Sequence, residues 1–293
     1  MALTSRRDFL KTTLATGALA TTGTLPLFAA PGTKATDTVT LGKSKIKVTR
    51  LAFGTGSHGG AVQRALGQDG FNTLVRHAWD RGIRFYETSD TYDGMHEMLG
   101  IALKGIPRDS YQLMSKITTD SGDPHQRFDE LRQQAKTDYF DIMLLHVQQG
   151  DNWPDKSKRW QDAILEAQHK QVIRARGASV HGLPALRQVP QNEWLQVAMI
   201  RMNHMGTKMD NDPNAWEATG NVPEVVQHVH QARQAGLGVI SMKLIGEGVF
   251  NREDRQKAMK FAFQNAGVDC VTVGYKSPAE VDEAIDNINA ALA

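Results

Sequence analysis

The sequence predicts a (β/α)8 barrel with an N-terminal β-hairpin at the barrel bottom, and three observations predict it. After Thr40, short apolar runs alternate eight times with longer amphipathic ones. The eight units occupy about 250 residues, the usual length of such a barrel. Gly82, Gly236 and Gly267 each stand between an amphipathic run and the next apolar one, where a helix-ending glycine belongs. The hairpin is expected from residues 39–41 and 45–48, which flank Gly42. The strand and helix pairs then read 48–53 and 70–81, 83–86 and 93–103, 111–115 and 125–136, and 140–145 and 157–170. The second half reads 172–178 and 183–189, 195–202 and 223–235, 239–244 and 252–264, and 268–273 and 279–292. Strands this apolar fit a parallel sheet covered by helices. A doubly wound open sheet is the alternative. Against it, the glycine-rich stretch from Gly54 to Gly60 lacks the G-x-G-x-x-G spacing that opens a helix.

Ahead of the barrel, Ser5-Arg6-Arg7-Asp8-Phe9-Leu10-Lys11 precedes a mildly apolar run, 12–30, rich in Ala, Thr and Gly. This resembles a twin-arginine export signal. Its threonines make it a poor permanent span. The expected layout is a signal segment at 1–30, a linker at 31–38 and the barrel at 39–293, with cleavage near Ala30. The implied location is the bacterial periplasm and the implied partner the twin-arginine export machinery. An uncleaved leader would leave the barrel tethered, and the mature chain carries no integral membrane domain. The leader holds Arg6, Arg7 and Lys11 against Asp8, so the 34 basic and 32 acidic residues leave the remainder formally neutral. Neutrality offers nothing to nucleic acid or an anionic membrane. Cys270 is the single cysteine, which excludes an internal disulfide and a cysteine-held iron–sulfur cluster.

The active face of such a barrel lies at the C-terminal ends of its strands. Glu87 ends the second strand, Tyr92 follows it, Lys116 ends the third and His146 the fourth. A carboxylate, phenol, ammonium and imidazole gathered there can deliver a proton to a carbonyl oxygen. Each also has a plainer reading: a packing tyrosine, a modest Lys–Glu ion pair, a structural histidine. Asp90 and Asp93, beside Tyr92, read as solvated loop acids.

Taken together, the glycine-rich first loop, GIRFYETSDTY, the SK of strand three, DYFDIMLLH, GVISMKLIGEG and VTVGYKSPAEVDEAI resemble the aldo-keto reductase family over most of residues 39–287. The resemblance implies reduction of an aldehyde or ketone, or oxidation of the alcohol, with NADP or NAD as cofactor. It makes Tyr92 the proton donor, Lys116 the ammonium that lowers the phenol's pKa, and His146 the residue that orients the carbonyl. Glu87 stands where the family has an aspartate. For the cofactor it implies Ser179, Asn203, Met242 in place of a stacking tyrosine, Lys243, Gly246, Lys276 and Ser277. Glu280 replaces an arginine expected near the adenosine phosphate, and a carboxylate there repels a 2′-phosphate but can accept from a 2′-hydroxyl. His58, Trp153, His181 and Trp216 are the residues expected to wall a pocket for a small carbonyl substrate.

Two other classes compete. Five histidines near the active face, His58, His96, His146, His181 and His204, suggest metal-assisted hydrolysis. No H-x-H pair lies on an early strand, and His228 and His230 fall in a helix on different faces, so no metal site is expected. A catalytically silent or noncanonical binding barrel fits the departures at the cofactor positions and a compartment without free nicotinamide.

Overall fold

Among the described residues ten short runs form strands, eight of which close on themselves. The computed structural model describes residues 33–119, 122–209, 211–212 and 218–293; the leader at 1–30 and Trp216 lie outside the described residues. The strands are β1 (Thr38–Thr40), β2 (Lys47–Thr49), β3 (Leu51–Gly54), β4 (Phe85–Glu87) and β5 (Gln112–Ile117). They continue as β6 (Phe140–Gln148), β7 (Ile173–Val180), β8 (Val197–Arg201), β9 (Gly238–Met242) and β10 (Cys270–Gly274). Strands β3 to β10 form a closed parallel barrel in chain order, sealed where β10 pairs with β3. The helices are α1 (Ala61–Arg64), α2 (Gly67–Asp80), α3 (Met95–Ala102), α4 (Pro124–Gln134) and α5 (Trp153–Lys156). Then come α6 (Lys158–His169), α7 (Leu183–Gln188), α8 (Val222–Gln234), α9 (Arg252–Lys260) and α10 (Pro278–Leu292). Each of the eight expected strand–helix units is present.

The helix ends follow from local chemistry. Asp123, Asn221, Asn251 and Ser277 cap α4, α8, α9 and α10, each side chain accepting a backbone N–H from the first turn. Gly82, Gly236 and Gly267 take positive φ of 94°, 81° and 67° as the chain leaves a helix for the next strand. The expected helix 252–264 is regular only to Lys260. It then widens into a turn over Phe261–Asn265, with the Ala266 N–H bonded to the Phe261 carbonyl.

The expected strand 48–53 is two strands. β2 pairs antiparallel with β1, with Val39 opposite Val48, and β3 enters the barrel. The break falls at Arg50, whose N–H donates to the Asp37 carbonyl, while the Leu51 N–H donates to that of Ala35. Ala35 is buried and its own N–H donates to Asn289 Oδ1 at 2.8 Å. Ala35 and Asp37, in the stretch expected to be linker, are thus bonded to the barrel. Leu41 and Val48 of the hairpin pack on Ala52, Phe85, Met114 and Ile142 inside the barrel, closing its N-terminal end. Helices bury the outer faces of the strands, through residues such as Phe71, Leu74, Leu99, Phe128, Ile164, Val229 and Ile285.

One close approach limits substitution on the scaffold. A Cβ at Gly177 of β7 would run into the Val197 backbone carbonyl of β8 and lie 2.7 Å from Leu144. Gly177→Ala should therefore destabilise the protein by about 3 kcal/mol or more. Urea unfolding checks this; an unchanged midpoint would refute such close strand packing.

Candidate active site

Alternate side chains of a strand point to the same face. Inside this barrel an apolar layer comes first and a polar one follows two residues on. Glu87 follows Phe85, Lys116 follows Met114, His146 follows Leu144, Arg201 follows Met199, and Thr272 follows Cys270. The structure thus brings Glu87, Lys116 and His146 to one mouth, and the loop after β4 adds Tyr92.

Lys116 is fully buried. Its Nζ contacts Glu87 Oε1 and donates to the Thr88 carbonyl at 2.9 Å. Burial drives the ammonium well below its ordinary pKa, and Lys243 pushes the same way. The Glu87 carboxylate opposes both by favouring the charged form. The Tyr92 ring centroid lies 4.6 Å from Nζ. This ring rests on Gly56, where a Cβ would come within 2.5 Å of the phenolic oxygen. Burial raises the Tyr92 pKa above the ordinary phenol value and outweighs the lowering by Arg201. That reverses the lowering expected from a neighbouring ammonium. At neutral pH Tyr92 keeps its proton.

β6 kinks at His146. Its register with β7 slips between Leu145 and Gln148, and Val147 takes φ +53°. A β-branched residue in that region is strained, and a bulge of this kind re-aims neighbouring side chains. The His146 ring stands edge-on to Tyr92 at 5.8 Å and to His181 at 6.3 Å. Its Nδ1 lies 2.9 Å from Ser89 Oγ, 3.3 Å from Thr91 Oγ1 and 3.8 Å from Asp90 Oδ1. Burial lowers the His146 pKa to about 4, so the ring is neutral. Asp90 is no solvated loop acid. It is largely buried, accepts the Thr118 N–H at 2.8 Å and the Thr118 hydroxyl at 3.1 Å, and faces His146. Burial works against its ionisation, but His146 and Thr118 together hold its carboxyl below the usual range. Asp93 is exposed.

A cavity of about 370 Å³ runs from Glu87 and Tyr92 past His58, Met242 and Lys243 to Lys276, Glu280 and Asn287. Lys243, at φ +59°, contacts Glu247, whose other oxygen lies 3.3 Å from Lys208 Nζ. Gly246 takes φ +59° in the same turn. At the far end Ser277 caps α10. Glu280 folds back to accept the Lys276 N–H at 2.9 Å, with its other oxygen 3.7 Å from Lys276 Nζ. Arg255 binds Glu283 through two contacts, at 2.7 and 2.9 Å.

The remaining expected residues divide. Ser179 is buried, its Oγ 3.3 Å from His181 Nε2 and 3.9 Å from Met242 Sδ. The Asn203 amide is committed to loops. Its Nδ2 donates to the Thr207 and Lys243 carbonyls, and its Oδ1 accepts the Met205 and Thr207 N–H groups. It ties the loop after β8 to the loop after β9. Trp153, which could wall the pocket or pack a lid, has a buried indole that donates to the Ala185 carbonyl at 3.3 Å and packs α5 on α7. Ser89, Thr91, Thr272 and Arg255 were not singled out by the sequence. Strand alternation could have found Thr272; the others had no signal.

The sequence pattern of the Aldo/keto reductase family matches residues 50–267. The chain belongs to the aldo/keto reductase family. The pattern of the twin-arginine translocation pathway signal matches residues 4–23, which directs the protein to the periplasm. This aldo/keto reductase is 35% identical over 85 residues to probable aldo-keto reductase 1 of Glycine max, a stretch covering 27% of this chain and 23% of that one. It is 31% identical over 117 residues to L-galactose dehydrogenase of Arabidopsis thaliana, 36% of each chain. The chain spans less than half the length of these curated relatives. Its fold resembles a Pseudomonas aeruginosa protein classed with the aldo-keto reductases, with TM-score 0.71, 19% identity, and coverage of 89% of this chain and 98% of that one. It also resembles an aldo-keto reductase of Klebsiella pneumoniae solved in complex with NADPH, with TM-score 0.63, 18% identity, and coverage of 89% and 90%. Among the described residues no helix is long and apolar enough to cross a membrane.

Buried neutral imidazoles set an acid limit on this barrel. Burial lowers His96 and His146 to about 4 from 6.5, and His181 well below it. As pH falls below 6.5 the unfolded chain takes up protons that the folded one refuses, so stability is lost progressively toward pH 4. Urea midpoints at pH 7, 5.5 and 4.5 should fall in that order. A flat series would mean that these rings are not held neutral.

Proposed function

We infer that this protein is a periplasmic nicotinamide-dependent oxidoreductase that reduces a small aldehyde or ketone, or runs the reverse oxidation. The observation that carries the reading is the fully buried Lys116 ammonium, set between the Glu87 carboxylate and the face of Tyr92. A buried ammonium is costly, and one placed beside a phenol can stabilise the phenolate left after proton donation. The cavity supports the cofactor assignment. It leads away from Tyr92 along Met242 and Lys243 to the capped start of α10, with Lys243, Arg255 and Lys276 along its wall. When bound, the nicotinamide supplies the hydride.

The chain's own residues do the rest. Tyr92, protonated at neutral pH, gives its proton to the carbonyl oxygen. Neutral His146, held at Nδ1 by Ser89 and Thr91, directs Nε2 to the same oxygen. Met242 covers one side of the cavity near Ser179. Glu280 and Glu283 place two carboxylates at the far end, which favours a 2′-hydroxyl over a 2′-phosphate, and hence NAD.

A silent binding barrel remains the second reading, favoured by one observation. Lys243, Arg255 and Lys276 each already face a glutamate, which blunts their pull on a phosphate. Metal-assisted hydrolysis has less support: among the described residues no three His, Cys, Asp or Glu side chains are placed to share a metal ion.

Tyr92→Phe should lower kcat at least about a hundredfold while leaving nicotinamide affinity unchanged in a fluorescence titration. A variant as active as the wild type would remove Tyr92 from the mechanism. In the same titration the wild type should bind NADH more tightly than NADPH, and Glu280→Gln should narrow the ratio by about tenfold. Binding of neither nucleotide by the wild type would favour the silent barrel.

A further inference from the structure

Glu87 has two carboxylate oxygens and they face different strands. Oε1 contacts Lys116 on β5, the next strand along the barrel. Oε2 accepts a hydrogen bond from the Thr272 hydroxyl on β10 at 3.3 Å. β10 is not a neighbour of β4, because β3 lies between them. Adjacent strands are spaced by about 4.8 Å, so this contact crosses a gap of about 10 Å between backbones. The crossing passes over Gly54, which stands opposite both Glu87 on β4 and Gly274 on β10. A Cβ at Gly54 would lie 2.7 Å from Thr272 Oγ1 and 3.1 Å from Glu87 Oε2, in the path of the bond.

We propose that Thr272 is a positioning residue for the Lys116–Glu87 pair, anchoring the far oxygen of Glu87 across a glycine left open for it. Both ends of the bridge are largely buried, Glu87 at 3% and Thr272 at 8% exposure, at the wall of the cavity. The bridge accounts for a glutamate at this place. An aspartate, one methylene shorter, lacks the reach to touch Lys116 and still span β3. Thr272 itself acts through Glu87. With the hydroxyl removed, the carboxylate can swing about its contact with Lys116, and the ammonium under Tyr92 moves with it. Displacements of about 1 Å at a reacting group cost on the order of a hundredfold in rate, and a partial loosening costs less.

The proposal rests on the reductase reading, and two measurements keep the two apart. The first is unfolding in urea of the wild type, Thr272→Val, Glu87→Asp and the double variant. T272V should lower the urea midpoint of the wild type and have no further effect in the E87D background; additive shifts overturn the contact. This holds whatever the chain catalyses. The second is turnover. T272V should lower kcat about tenfold with KM unchanged. Thr272→Ser, which keeps the hydroxyl, should restore it. T272V should again be silent in the E87D background. Wild-type kcat in T272V, or no recovery in T272S, overturns the positioning role. A wild-type protein that turns over no carbonyl with either nicotinamide defeats the reductase reading, and the urea cycle alone then judges the bridge.

Discussion

The two-residue period of eight parallel strands is the constraint on which this molecule depends. It fixes an apolar floor that includes Phe85, Met114, Leu144, Met199 and Cys270, and then delivers a polar side chain at the next inward position of each of those five strands. A slip of one residue in β5 would turn Lys116 out toward the helices and bring Ser115 in. Register and chemistry are therefore one problem here. The same packing that holds the barrel shut aims an ammonium, a carboxylate and an imidazole at one point.

Energetically the mouth is an unfavourable place. It holds a desolvated ion pair, a left-handed valine, and imidazoles kept neutral by burial. Each is tolerated because its neighbours come from rigid elements. Lys116 is held by β4 and the residue after it, and His146 by the short turn that follows. The rim works differently. Asn203 fastens two loops through backbone groups alone, and Glu247 joins lysines from the same two loops. Precision at the centre comes from strands. Closure at the edge comes from a few polar side chains that link loops.

Much of this was legible in the sequence, for reasons visible in particular residues. Glu87, Lys116 and His146 could be placed because each ends an apolar run, and the strand count fixes which ends are neighbours. Asp90 was misread. Its partners, Thr118 and His146, lie 28 and 56 residues away, and nothing local separates a buried loop acid from a solvated one. Trp153 could not be placed for a similar reason, since an indole beside an active loop can face inward or pack beneath it. The division at Arg50 was hidden because residues 48–53 stay strand-like throughout, and only the change of partner from hairpin to barrel cuts them in two. Pairing across distance is what a linear pattern cannot carry.

The seam of the barrel bears on how the protein leaves the cell interior. The first barrel strand pairs with the last, and the residues just after the leader are bonded to Asn289 in the final helix. Ala35 therefore lacks this anchor until the final helix has been made. Long-range closure of this kind is slow compared with local helix formation. In the completed chain the anchoring of Ala35 reports that the barrel is whole. That order of events suits an export route that accepts folded cargo.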